Sequence, residues 1–278
     1  VITAIVLAAA LVQADTTIPV SRGQRLSADV FAGSVTVRSW NRDAVQVTGD
    51  PGRKGVLEVR TSGSTVSVET SPHTGPSGAA DLVVTIPAWM PVAVEGVYTD
   101  VTLEGCRCPV GVETVHGNIV VKGAEGAVSL ETVEGSVQVQ GVTGNVSANS
   151  VNESVTVRDV AGNVSVEAVN GDVTLTGLRG GNVEASTVNG DVTYDGEIRA
   201  GGRYAFTSHQ GDVTVAVPAG ASATIRVNTF NGAFESDFPV TLSGASARKK
   251  LTFTLGGGSA TMDLESFSGD IRLVKAGA

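Results

Sequence analysis

The chain has 278 residues, among them 47 valines and 35 glycines, and a formal net charge of −9. Glycine without an every-third-residue period excludes a collagen-like chain, and 41 % apolar residues exclude a disordered one. An acidic balance with only 17 % charged residues excludes the basic face that nucleic acid binding requires.

In chain order, residues 1–14 carry no charge, and Val12-Gln13-Ala14 has the small-residue character of a cleavage site. They read as a secretory signal peptide, removed on export, and are short for a bilayer span. Residues 15–278 are then expected to be secreted, periplasmic or at the cell surface, with no membrane span after cleavage. Residues 33–41 (GSVTVRSWN) and 44–47 alternate like strands, as do 82–86 (LVVTI) and 92–97 (VAVEGV) around Pro87 and Pro91. Residues 71–80 (SPHTGPSGAA) read as a polar loop. Cys106 and Cys108 lack both metal-site and Cys-x-x-Cys redox spacing, so they read as small residues, free or locally bridged.

From there a repeat dominates. Val97, Val115, Val133, Val151, Val169 and Val188 recur at steps of 18, 18, 18, 18 and 19 residues, and the column continues at His209, Phe230 and Phe267. Each unit splits into nine-residue halves such as GAVSLETVE, GSVQVQGVT and GNVSANSVN. Apolar positions 3 and 5 alternate with polar ones, which is the pattern of a half-buried strand. Position 8 has the wrong parity to continue it, so a corner is expected before it, with Gly and Asn or Asp turning the next corner through unusual φ values. A strand and a corner, twice every 18 residues, is one coil of a solenoid whose equivalent residues stack about 4.8 Å apart. With position 8 inward, Val133→Asp and Val169→Asp are expected to be severely destabilising. At the far end, 213–217, 223–228, 250–255 and 259–264 alternate like strands, and Phe230, Phe234, Phe238, Phe253 and Phe267 suit wider capping coils.

The fold expectation is therefore all-β: a parallel β-solenoid of ~18-residue coils with irregular ends, right-handed by the crossover rule. Residues 15–278 form a single domain, with N-terminal coils and cap at 15–95, regular repeats at 96–232 and aromatic-rich coils at 233–278. The motifs Gly33-Ser34-Val35-Thr36-Val37 with Trp40, Ile86-Pro87 before Val92, the Thr-Val-Asn-Gly-Asp-Val runs, Gly257-Gly258 and Ser268-Gly269-Asp270-Ile271-Arg272-Leu273 resemble a bacterial adhesin-like β-strand-repeat family, a domain of unknown function. The resemblance covers nearly all of the chain after residue 14. It implies an exported single-stranded β-helix without known catalytic residues.

Several columns are candidates for chemistry. Asp100, Asn118, Asp172, Asp191, Asp212 and Asp270 share one register, and Asp172, Asp191 and Asp212 are the candidates for a cation ladder. The competing reading makes them corner residues with local hydrogen bonds. Asn152, Asn170 and Asn189 suit a stacked amide ladder, with Tyr98, His116, Glu134 and Gln210 in the same column. The Thr114, Thr132, Ser150, Thr187, Ser208 and Thr229 column reads the same way. His73, His116 and His209 sit in no metal or triad motif, and the run Arg248-Lys249-Lys250 reads as a solvated turn.

The motifs point to no catalytic residue, metal site or cofactor. The leading expectation is a non-enzymatic surface module or rigid spacer whose partner is a protein or glycan at the cell surface. End-to-end self-association into a filament is the alternative, because solenoid ends expose sheet edges. A carbohydrate-active β-helix enzyme is the third reading, weakened by the lack of clustered acids and aromatic platforms in the repeats.

Overall fold

A nine-residue unit with one buried strand face cannot hide that face alone, so the units must stack. The computed structural model describes residues 15–52, 55–71, 78–240 and 250–277. The apolar stretch 1–14, His73 and Arg248-Lys249 lie outside the described residues. Its strands are β1 (Asp15–Pro19), β2 (Arg25–Trp40), β3 (Ala44–Asp50), β4 (Val56–Ser62), β5 (Thr65–Ser71), β6 (Ala80–Pro87), β7 (Val92–Glu104) and β8 (Val110–His116). Then come β9 (Ile119–Lys122), β10 (Val128–Glu134), β11 (Val137–Gln140), β12 (Val146–Ser150), β13 (Val155–Arg158), β14 (Val164–Ala168), β15 (Val173–Leu178) and β16 (Asn182–Asn189). The last are β17 (Val192–Gly196), β18 (Arg203–Gln210), β19 (Val213–Val217), β20 (Ala223–Thr229), β21 (Phe234–Ser236), β22 (Lys250–Leu255), β23 (Ala260–Ser268) and β24 (Ile271–Lys275). All 24 belong to one sheet. Among the described residues no helix is long and apolar enough to cross a membrane. The architecture is the expected all-β solenoid.

Each regular coil has two legs. Leg A stacks β8, β10, β12, β14, β16 and β18 in parallel, and leg B stacks β9, β11, β13, β15, β17 and β19. Equivalent side chains sit directly over one another. On leg B, Val101, Ile119, Val137, Val155, Val173, Val192, Val213 and Ile271 form one column, all buried. Stiff β-branched side chains suit this stacked surface.

The two corners of a coil differ, which corrects the expectation for position 8. After leg B the seventh position holds Gly105, Gly123, Gly141, Asp159 or Gly177, all with φ between +54° and +70°. That left-handed residue reverses the alternation and turns Ala124, Val142, Val160 and Leu178 inward. After leg A the seventh position is Thr114, Thr132, Ser150, Ala168 or Thr187, none with positive φ. The alternation runs on, the seventh side chain is buried, and the eighth points out. Val115, Val133, Val151, Val169 and Val188 are therefore 38–42 % exposed.

The coils also do not follow chain order at the ends. β2 and β7 each run through both legs, and β2 lies between β7 and the β5–β6 pair. At the other end β23–β24 returns to lie on β18–β19, with β20 and β21 outside it. Antiparallel partners then flank the stack: β4 on β5, β3 on β6, β1 on β3, and β22 on β20. Where the steps lengthen, the core widens to take Tyr194, Tyr204 and Phe206, all fully buried. The Tyr194 hydroxyl donates to the Glu197 carbonyl at 2.9 Å, and the Tyr204 hydroxyl donates to the Gly180 carbonyl and accepts the Arg199 amide.

Two aspartate substitutions separate the corners. Val137→Asp, in the buried leg B column, is expected to cost more than about 3 kcal/mol, whereas Val133→Asp is expected to cost less than about 1 kcal/mol. Urea denaturation followed by circular dichroism measures both.

Candidate functional site

The strands of leg A end at a corner that carries most of the polar columns. Its geometry is set by the buried hydroxyls. Thr132 Oγ1 donates to the Gly117 carbonyl of the preceding coil at 3.1 Å, Ser150 Oγ to Gly135 at 3.0 Å and Thr187 Oγ1 to Gly171 at 2.9 Å. Ser208 and Ser266 repeat the bond to Gly190 and Gly211. Gly117, Gly135, Gly171 and Gly190 are needed for contact rather than for φ: a Cβ on Gly135 would stand 1.9 Å from the Gly117 carbonyl oxygen, and one on Gly117 would stand 2.0 Å from that of Thr99. Thr99 stands in the glycine column and still accepts, from Thr114 Oγ1 at 3.2 Å; the bond itself is missing where Glu153 and Ala168 fall, and these two belong together. Ala168 is the coil member that would donate to position 153, and it has no hydroxyl.

The aspartate column lies just past the glycines. One oxygen of each is used by the next coil's backbone: Asp172 Oδ1 by the Asp191 amide at 2.9 Å, Asp191 Oδ1 by the Asp212 amide at 2.8 Å and Asp212 Oδ1 by the Asp270 amide at 2.8 Å. Asn118 and Asp100 do the same lower in the stack. Among the described residues no three His, Cys, Asp or Glu side chains are grouped to hold a metal ion. The candidates Asp172, Asp191 and Asp212 thus stand in one column, with one oxygen each committed to a coil-to-coil hydrogen bond. Arg272 reaches Asp212 at 2.5 Å, Asp270 at 3.0 Å and Glu235 at 3.5 Å.

The neighbouring column changes chemistry along the axis. Tyr98 stacks on His116 at 4.8 Å, and His116 Nδ1 meets Glu134 at 2.7 Å. Asn170 then donates to Asn152 at 2.9 Å and Asn189 to Asn170 at 2.7 Å, which is the expected amide ladder. Beside it runs the exposed valine ridge, extended by His209, Phe267 and Phe230 with ring centroids 4.7 and 4.9 Å apart. His116 and His209 are therefore ladder members. Cys106 and Cys108 are bridged to each other and buried at a leg B corner.

Outward residues of leg A supply a third column, Glu95, Glu113 and Glu131, in direct register. Its 18-residue spacing, two positions before Val97, Val115 and Val133, is legible in the sequence. The side chains on this face can make many parallel contacts, but no arranged acid, base or nucleophile is present among those described above.

The family model Toastrack DUF4097 matches residues 24–274. No curated protein matches the chain. Among solved structures, a candidate cell adhesion protein from Clostridium sporogenes aligns at 10 % identity, covering 94 % of this chain and 98 % of that one, with a TM-score of 0.28. A candidate adhesin from Bacteroides fragilis aligns at 12 % identity, covering 94 % and 96 %, with a TM-score of 0.44. At these values neither likeness bears on function.

Removing one corner hydroxyl tests its weight. Thr132→Val leaves the Gly117 carbonyl without its buried donor and is expected to cost about 1–3 kcal/mol in urea denaturation.

Asp212 gives a pH-dependent test. Burial raises its carboxyl, but the Asp270 amide and the Arg272 guanidinium outweigh this and hold it below the ordinary carboxylate value. A folded value below the unfolded one means that its stabilisation is present above about pH 4 and lost as pH falls through the folded value. Asp212→Asn is expected to be less stable than the parent at pH 7, with the gap narrowing by pH 3. An unchanged gap across that range in denaturant melts would contradict the assignment.

Proposed function

The chain belongs to the Toastrack DUF4097 family, a domain of unknown function, and we propose that it serves as a non-enzymatic, exported or cell-surface interaction module built on one rigid solenoid domain, residues 15–278. The observation that carries this reading is the use made of the polar columns. The hydroxyl, amide and aspartate rows that could have formed a site are spent largely on holding one coil to the next, and what remains outward is long parallel stripes. Binding across such a surface would sum many weak contacts with a protein or a glycan.

The stack also favours a discrete rod over a filament. Leg A stacks β4, β5, β2, β7, β8, β10, β12, β14, β16, β18, β23, β20 and β22. At about 4.8 Å per step that is a rod roughly 60 Å long. Antiparallel terminal strands interrupt the parallel register that an identical coil would have to continue.

Negative-stain microscopy after gel filtration is expected to show single short rods of about that length. Intact cells carrying the protein are expected to lose it to an added protease. Filaments with an axial repeat of one molecule would replace this reading with a structural polymer, and full protection in intact cells would remove the surface location.

A further inference from the structure

The outer face of leg A carries an arrangement that the coil-to-coil ladders do not explain. Glu58, Glu69, Asp29, Glu95, Glu113 and Glu131 lie on successive neighbouring strands and are paired directly across them. Their spacing is therefore that of hydrogen-bonded strands, about 4.8 Å. Glu58 pairs with Arg60. The other five make no ion pair and no side-chain hydrogen bond among the described residues. From β7 to β14 the outward positions of leg A hold no Lys or Arg. A line of carboxylates without paired cations at this spacing is self-repelling, most strongly at low salt.

Two residues further along each strand stands the exposed valine ridge. A shallow groove of about 370 Å³ runs between the two, with Glu95, Glu113 and Glu131 on one wall, Val115, Val133 and Val151 on the other, and the Thr114 and Thr132 backbone on its floor. Ridge valines are 38–41 % exposed over this stretch, although an inward valine was available to the same repeat at its other corner. One wall is acidic and the other apolar, over several coils.

We propose that this groove docks a basic polypeptide segment of a partner protein, one that alternates Lys or Arg with aliphatic side chains. The proposal rests on the interaction-module reading and names the partner class. An extended segment lying along the groove sends successive side chains to opposite sides. Alternation then places every cation on the carboxylate wall and every aliphatic group on the valine wall. Charge selects this occupant over a second copy, because the chain carries a net −9 and the outward positions of leg A from β7 to β14, where the groove lies, offer no cation to meet Glu95, Glu113 and Glu131. Relief of the carboxylate repulsion and burial of the ridge act together, so both walls are required.

The test uses the whole chain and fluorescent (Lys-Leu)6, (Lys-Ser)6 and (Glu-Leu)6 peptides, read by anisotropy in low salt. (Lys-Leu)6 is expected to bind, (Lys-Ser)6 at least tenfold more weakly, and (Glu-Leu)6 not at all. The triple variants Glu95→Gln/Glu113→Gln/Glu131→Gln and Val115→Ser/Val133→Ser/Val151→Ser are each expected to lose at least tenfold. The control Asp195→Asn/Glu197→Gln, which removes charge elsewhere, is expected to bind like the parent. All these positions are outward, and thermal melts are expected to show folded variants, with the Glu→Gln triple at least as stable as the parent. Equal binding of (Glu-Leu)6, an unaffected Glu or Val triple, or an equal loss in the control would overturn the proposal. So would sedimentation showing a dimer that the Val triple abolishes, since a second copy would then be the occupant. Failure here leaves rod shape and surface exposure, and so the broader reading, to be judged by microscopy and protease access.

Discussion

Everything in this solenoid depends on how closely one coil can approach the next at the leg A corner. The corner glycines bring backbone against backbone where a Cβ would stand about 2 Å from a carbonyl oxygen. That approach puts the carbonyl within reach of the buried Thr or Ser hydroxyl of the following coil. The hydroxyl satisfies an acceptor that would otherwise be buried without a donor, which is costly in a low-dielectric interior. Aspartate and asparagine side chains just beyond do the same for the backbone amides. The corner is thus closed by the polar side chains of its neighbours, and those side chains have little capacity left for outside chemistry.

The same constraint produces the surface. Because the seventh residue must point inward to deliver its hydroxyl, the eighth must point outward. A valine ridge results, exposed at Val115, Val133, Val151, Val169 and Val188, with Glu113 and Glu131 two residues behind the first two of these. At the opposite corner a left-handed residue breaks the alternation, and the corresponding Val142, Val160 and Leu178 are buried. One backbone torsion decides whether an aliphatic side chain stabilises the core or faces the solvent.

The ends follow a different logic from the middle. Each terminal region threads one segment between others, β2 at one end and β23–β24 at the other. Strands distant in sequence are therefore neighbours, and antiparallel strands flank the parallel stack. Natural sheets protect their edges by breaking the pattern that a like strand would extend. Here the wide core near Tyr194, Tyr204 and Phe206 marks the transition from regular coils to the irregular end.

Much of this was legible in the chain itself. Period-two alternation within an 18-residue repeat determines strands, corners and stacking, because a strand that can bury only one face must find its equal in the next unit. The amide ladder of Asn152, Asn170 and Asn189 followed from the same register. Even the difference between corners was written at the seventh position, Gly or Asp159 at one and Thr, Ser or Ala168 at the other, but a valine-centred alignment hides it. What the tertiary structure alone decided was the order of the terminal coils and the acidic column that joins Glu58, Glu69 and Asp29 to Glu95. Those residues belong to strands with no common spacing in sequence. Only hydrogen bonding between strands far apart in the chain brings their carboxylates into one line.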